Sequence, residues 1–281
     1  MPDLEFAPSS TRLDGLALIG AGRQAETYAW AQDGVVKLFR EVSSRASAQQ
    51  EAAAMYALDA TEIPMPRILG TVTIGERPGI VMERLAGSDQ LSLLGRQPWS
   101  IWTVATNLAR LHAHIHALAA PDQLPPLRAT VKDEIARSDG VPADCKELAF
   151  DALDRLPDGS AICHWDFHPG NVIESPDGLK LIDWASACRG DARADVARTL
   201  LILRGGALPP GAPLLTRTLT AFGRSVLAWR YLDEYRRLRP FEDKDLELWD
   251  LVSAVSRLSY GVSAEREQSL SRIRGKQSQR T

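Results

Sequence analysis

The chain has 281 residues, enough for two structural units at roughly 150 residues each, and 44% hydrophobic with 25% charged residues supplies a soluble core. Disordered and fibrous classes are excluded. The 33 Lys and Arg against 36 Asp and Glu leave a formal charge of −3, so no global positive field exists to hold nucleic acid or anionic lipid.

Cys145, Cys163 and Cys188 are odd in number and widely spaced, which excludes a disulfide framework or a four-ligand zinc site built from them alone. A reducing cytoplasm fits. Met1 to Ser10 lacks a basic segment followed by an apolar one, and no run approaches the roughly 18 apolar residues that a membrane span needs. A cytoplasmic protein with no membrane or nucleic-acid partner is expected, its oligomeric state open.

Leu16 to Phe39 reads as consecutive antiparallel strands, with Asp33-Gly34 supplying the positive φ of a tight hairpin. Ser43 to Ala60 is free of Pro and Gly and sets Glu51, Met55 and Leu58 at i, i+4, i+7, the spacing of a helix. Arg67 to Ile74 and Gly79 to Met82 are further β-branched runs, punctuated by Gly75 and Pro78. Residues 1–85 therefore read as a mostly antiparallel lobe with one helix.

After Leu85-Ala86-Gly87-Ser88 the period changes, because Ile101, Val104, Ala105, Leu108, Leu111, Ile115 and Leu118 recur at helical spacing. Further helices are expected at Thr130 to Arg137, Ala143 to Asp154, Asp195 to Arg204, Leu214 to Leu238 and Asp243 to Val262, around one β interruption at Ala161 to Trp184. The class is α+β, with a helical lobe over 86–264 and a polar, locally basic tail over 265–281.

The chemistry concentrates in Cys163-His164-Trp165-Asp166-Phe167-His168-Pro169-Gly170-Asn171 and in Ile182-Asp183-Trp184. Val172 to Glu174 and Leu179 to Ile182 read as short strands around Ser175-Pro176-Asp177-Gly178. A hairpin symmetric about Asp177 sets Asn171 opposite Asp183, about 5 Å apart at Cβ. Two oxygen ligands so placed suit Mg²⁺, which takes few protein oxygens and completes its shell with water and phosphate. Asp166, five residues earlier, adds a carboxylate, and a catalytic carboxylate beside two metal ligands is what protein kinases use for phosphoryl transfer.

The first lobe supplies the other half. Gly20 and Gly22, between the first two strands, let backbone approach phosphate closely. Lys37 lies inside an apolar strand, where an unpaired ammonium is expensive to bury. Glu51 on the following helix is the natural partner by spacing, with Glu41 and Glu62 the alternatives.

The ordered set Gly20/Gly22, Lys37, Glu51, Val81-Met82-Glu83 with its linker, His164-x-Asp166 with Asn171, and Asp183-Trp184 resembles the aminoglycoside phosphotransferase family, small-molecule relatives of the protein kinases. Gly190-Asp191 and Asp195 extend the resemblance downstream. It implies a two-lobed protein-kinase-like fold with ATP or GTP between the lobes. It also implies a backbone contact to the purine from Glu83 and Leu85, with Met82 lining the pocket. Asp166 would be the catalytic base, Asn171 and Asp183 the Mg²⁺ ligands, and Lys37 with Glu51 the phosphate anchor. Ala25 stands where a third glycine of the loop would be.

A protein substrate is not expected. Asp183 and Asp195 stand too close in sequence for a long activation segment, and His168 occupies the place where Ser/Thr kinases carry Lys. The acceptor expected is a small molecule, an aminoglycoside-like or other cationic antibiotic, because Thr130 to Ser160 is rich in Asp and Glu. A metabolite kinase of the choline, homoserine or ketosamine type and a silent nucleotide-binding module are the alternatives. His112 and His116 share a helix face but have no acidic or cysteine partner nearby in sequence, so His112 reads as a packed core histidine. His164 and Asp195 read as scaffold for the catalytic loop, Trp165 and Trp184 as core aromatics, and Cys163 as no nucleophile.

Overall fold

The computed structural model describes residues 6–40, 45–205, 214–259, 270 and 273. The chain divides into two compact units, one of Met1–Asp89 with Asn171–Ala187 and the other of Gln90–Gly170 with Cys188–Thr281. The expected tail over 265–281 lies outside the described residues apart from Leu270 and Ile273, as do residues 43–44 and 260–262 of two expected helices.

In the first unit β1 (Ala7–Pro8), β2 (Leu18–Ala21), β3 (Ala25–Trp30), β4 (Gly34–Phe39), β5 (Ile68–Ile74) and β6 (Arg77–Glu83) form a sheet in the order β1-β5-β6-β4-β3-β2. Every pairing is antiparallel except the short β1–β5 contact. Helix α1 (Arg45–Leu58) packs on β5 and β6 and buries Glu51, Met55 and Leu58. Strand alternation explains why a lysine survives here. Val36 and Leu38 join Tyr28, Val72, Ile74 and Val81 in one buried cluster, so Lys37 between them projects from the opposite face.

Two turns depart from expectation. Trp30 pairs with Gly34, so the β3–β4 loop is Ala31 to Asp33, and the positive φ falls on Ala31 at 50°. Gly34 instead opens β4 because a Cβ there would lie 2.8 Å from the Trp30 carbonyl oxygen. Pro78 stands inside β6 instead of preceding it. The β4–β6 ladder stops at Leu38 and Gly79, so Pro78 pairs with Thr73 of β5 alone and its missing N–H costs no second ladder.

After β7 (Ser88–Asp89) the second unit contributes α2 (Gln90–Arg96), α3 (Ile101–Ile115), α4 (Leu127–Arg137), α5 (Ala143–Arg155) and β8 (Ala161–Cys163). Its α3 buries Val104, Leu108, Leu111 and Ile115, one apolar stripe at helical spacing. The chain returns to the first unit for β9 (Val172–Ser175) and β10 (Gly178–Leu181), a hairpin continued by β7 in the order β10-β9-β7.

The rest belongs to the second unit: β11 (Cys188–Gly190), paired with β8, then α6 (Ala192–Arg204), α7 (Leu214–Leu238) and α8 (Asp243–Ser259). Asp191 caps α6 by accepting from the Arg193 amide. Helix α6 is buried on nearly every side, against α7 and α8, and carries Asp195 and Arg198 inward. No helix among the described residues is long and apolar enough to cross a membrane.

Candidate active site

Lys37 is the centre of the first unit's polar cluster. Its Nζ donates to both oxygens of Glu51 at 2.8 Å and to Asp183 Oδ1 at 2.9 Å. Glu51 is 1% exposed, whereas the Asp183 side chain is 43% exposed. The Trp184 amide also donates to the Glu51 carboxylate, and Gln50 Nε2 donates to the Ala185 carbonyl, which tie α1 to the segment after Asp183. Of the other acids considered for Lys37, Glu62 is exposed and Glu41 lies outside the described residues.

Burial disfavours the Lys37 ammonium, but Glu51 and Asp183 outweigh it and lift the lysine above its ordinary range. Burial pushes the Glu51 carboxyl up, Lys37 opposes it and the Asp183 charge adds to it. Ionised together, the three side chains sum to −1, so the cluster still favours a cation.

The hairpin register differs from the symmetric one. Ser175 pairs with Gly178 and Val172 with Leu181, so the loop has two residues, Pro176 and Asp177. The Ile182 amide donates to the Asn171 carbonyl at 2.9 Å, which places Asn171 opposite Ile182 and leaves Asp183 one residue past the ladder. Asp183 is left-handed there, at φ 67° and ψ 68°. The kink breaks strand alternation at the residue whose carboxylate reaches Lys37. Asn171 is buried.

The glycine loop is tied at its base. Gly22 N–H donates to the Ala25 carbonyl at 2.8 Å, and Arg40 Nε and Nη2 both donate to the Gly22 carbonyl at 3.2 Å. Gly20 stands in β2 with open space where a Cβ would project. Met82 is buried in β6, and the Glu83 amide donates to the Arg67 carbonyl at 2.9 Å. That bond occupies the Glu83 donor, and the half-buried Leu85 follows two residues later, beyond the strand.

In the second unit a buried carboxylate organises the loop around Asp166. Asp195 Oδ2 accepts from the His164 amide at 2.5 Å and Oδ1 from the Trp165 amide at 2.9 Å. Trp165 is left-handed at φ 64°, an unfavourable conformation for a bulky residue, and the Arg198 guanidinium lies 5.1 Å from its ring centre. The Asp166 amide donates to His164 Nδ1 at 3.3 Å, and the Gly170 amide donates to His168 Nδ1 at 3.0 Å. Because His168 Nδ1 accepts, its Nε2 carries the proton of the neutral ring and faces Asp166 Oδ2 at 3.8 Å. A Cβ on Gly170 would strike the His168 ring at 2.9 Å. The Cys163 thiol is pushed up by its hydrogen bond with Cys188 and by burial, the opposite of an activated nucleophile.

A model of the phosphotransferase enzyme family matches residues 15–241. The chain belongs to this family. Its members are small-molecule kinases, and the chain is a small-molecule phosphotransferase. Its fold is similar to that of a thermostable mutant of aminoglycoside phosphotransferase APH(4)-Ia in the apo form, at a TM-score of 0.63 and 15% identity over 92% of this chain and 91% of that one. It is also similar to aminoglycoside-3'-phosphotransferase of type VIII, at 0.58 and 21% over 85% and 93%. The streptomycin–ATP complex of APH(2")-IIa matches at 0.56 and 17% over 92% and 90%. No curated protein matches the sequence significantly.

The phosphotransferase carries one layer that its sequence did not disclose. His112 and His116 do have an acidic partner: their Nε2 atoms lie 3.0 and 3.4 Å from Asp195 Oδ2. Their Nδ1 atoms each lie 2.6 Å from a tyrosine hydroxyl, His112 with Tyr231 and His116 with Tyr235. Both pairs are spaced i, i+4, His112 on α3 with His116 as its C-cap and the tyrosines on α7, and this matching interval is the one signal that could have joined them.

Proposed function

We propose that this phosphotransferase moves the γ-phosphate of ATP or GTP to a hydroxyl of a small cationic acceptor of the aminoglycoside class, in the cytoplasm. The observation that carries the reading is the Lys37 ammonium, held by a fully buried Glu51 and by a solvent-reaching Asp183. A buried acid on a half-buried lysine fixes a cation in place with its ammonium still within reach of a ligand, and a fixed cation is what a phosphate requires.

In this reading the first unit takes the nucleotide. The Gly20 and Gly22 backbone approaches the phosphates, Lys37 holds them, and Glu51 orients Lys37. Met82, Glu83 and Leu85 meet the purine. The carboxylate of Asp183 and the carboxamide of Asn171 are hard oxygen donors beside a cluster of net negative charge, a set that fits Mg²⁺. Bound there, Mg²⁺ supplies neutralisation of phosphate charge. Asp166 orients the acceptor hydroxyl and accepts its proton, and His168 Nε2–H faces the same carboxylate.

The acceptor class is supported by charge and by likeness. Asp133, Asp139, Asp144, Glu147, Asp151 and Asp154 are exposed on α4, α5 and the turn between them, an acidic surface that attracts cations. The similar structures include APH(4)-Ia with AMP-PNP and hygromycin B, and APH(2")-IIa with gentamicin.

The test is turnover of ATP and of GTP by the purified protein against a panel of aminoglycosides, other cationic antibiotics and metabolites, with growth protection of a susceptible bacterium beside it. Salt-sensitive phosphorylation of an aminoglycoside is expected. Turnover with choline, homoserine or a ketosamine alone would make it a metabolite kinase. Nucleotide binding with no turnover on any acceptor would leave a silent module.

A further inference from the structure

Asp166 is flanked by two residues that the protein grips separately. Trp165, before it, donates its amide to Asp195. Phe167, after it, is fully buried with its ring stacked on His112, centroids 4.0 Å apart and planes within 6°. His112 is common to both grips, since its Nε2 also bonds Asp195 Oδ2 at 3.0 Å.

The proton positions follow from the partners. An ionised carboxylate only accepts, so Nε2 of His112 carries the hydrogen toward Asp195. Burial, with His116 adding to it against Asp195, lowers His112 to about 3 and keeps the ring neutral. Nδ1 is then an acceptor and the Tyr231 hydroxyl donates to it at 2.6 Å. Burial raises Tyr231 well above the ordinary phenol range, so the hydroxyl keeps its proton.

Asp195 thereby receives four N–H groups: the amides of His164 and Trp165 and the rings of His112 and His116. Burial opposes its charge, yet the two histidines hold its carboxyl well below the ordinary range. A left-handed tryptophan persists where its surroundings over-determine it, and these bonds do so.

We propose that His112, buttressed by Tyr231, is a positioning residue that sets Asp166 by holding Trp165 through Asp195 and Phe167 by stacking. His112, His116 and Asp195 also present ligand atoms within 4.8 Å of one another, the outline of a metal site. The hydrogen bonds account for every one of those atoms without an ion, so the cluster is read as a clamp.

The kinetic arm of the test rests on the phosphotransfer reading, and hydrogen exchange does not. In His112→Ala, amide exchange in peptides covering residues 163–170 is expected to quicken about tenfold or more, with α5 and α8 unchanged. The kcat is expected to fall about 100-fold, the scale of a 1 Å misplacement, with KM for ATP within about twofold of wild type. His112→Gln, whose amide can reach Asp195, should recover most of the exchange protection. Tyr231→Phe removes only one hydroxyl and serves if His112→Ala does not fold; faster exchange confined to 163–170 is again expected.

Unchanged exchange at 163–170 in these variants, or exchange quickened equally throughout the second unit, would overturn the clamp. So would a stoichiometric metal that the wild-type protein retains and His112→Ala loses, since a metal held by Asn171 and Asp183 would stay in both. If the wild type turned over no nucleotide with any acceptor, the phosphotransfer reading would fall while the exchange result still decided the clamp.

Discussion

Lys37 and Asp183 meet at 2.9 Å across 146 positions of sequence, because a left-handed residue ends the hairpin where regular pairing would have continued. Asp183→Ala removes the more exposed of the two acids on Lys37 and one of the two proposed Mg²⁺ ligands. Turnover is expected to vanish at every Mg²⁺ concentration, while Glu51 keeps Lys37 charged and the fold intact. Wild-type rates in the Mg²⁺ titration would remove Asp183 from the chemistry.

Lys37→Met separates structure from catalysis. Glu51 would be left buried without its cation, and breaking one partner of a buried pair costs about 3–5 kcal/mol, a loss that protonation of Glu51 would moderate. With Lys37 gone the carboxyl rises further, so the folded state holds a proton that the unfolded chain does not. The deficit should then grow as pH rises through the folded value of Glu51 and shrink in acid. Adding Glu51→Gln should recover much of the lost melting temperature and none of the turnover. A single variant that melts like wild type would show that the pair does not stabilise the fold.

Asp166→Asn keeps shape and removes the acceptor of a proton. The kcat should fall about 100-fold or more, the scale of a positioned general base, with nucleotide affinity near wild type. Isothermal titration with AMP-PNP and Mg²⁺ checks the second half, and a matching loss of affinity would make Asp166 a metal ligand.

What the sequence disclosed was what short spacing encodes. Glu51, Met55 and Leu58 mark one helix face, and strand alternation around Lys37 puts the ammonium on the face opposite Val36 and Leu38. The register of the β9–β10 hairpin was not legible, because Pro176-Asp177 and a loop longer by one residue both satisfy the same Pro-Gly pattern, and the choice moves Asp183 off the ladder. The positive φ of the β3–β4 loop falls on Ala31, and Gly34 serves instead the close approach to the Trp30 carbonyl, a steric need that turn propensity does not report. The histidine layer was invisible for another reason. His112 and Asp195 stand 83 positions apart, and His112 and Tyr231 119, distances over which local pattern carries no pairing information.

The buried imidazole makes stability depend on pH in a stated window. His112 is lowered to about 3 against an ordinary value of 6.5, so below 6.5 the unfolded chain takes a proton that the folded state refuses. The stabilisation is complete above 6.5 and is lost as pH falls toward 3, by up to about 1.4 kcal/mol per pH unit. Asp195, held well below its ordinary 3.8, adds a further loss only in stronger acid. His112→Gln removes the titrating ring, so its unfolding free energy should fall less steeply between pH 6.5 and 4.5 than that of wild type. Urea unfolding at pH 7.5, 6.5, 5.5 and 4.5 measures both slopes, and parallel slopes would mean that His112 takes a proton in the folded protein as readily as in the unfolded chain.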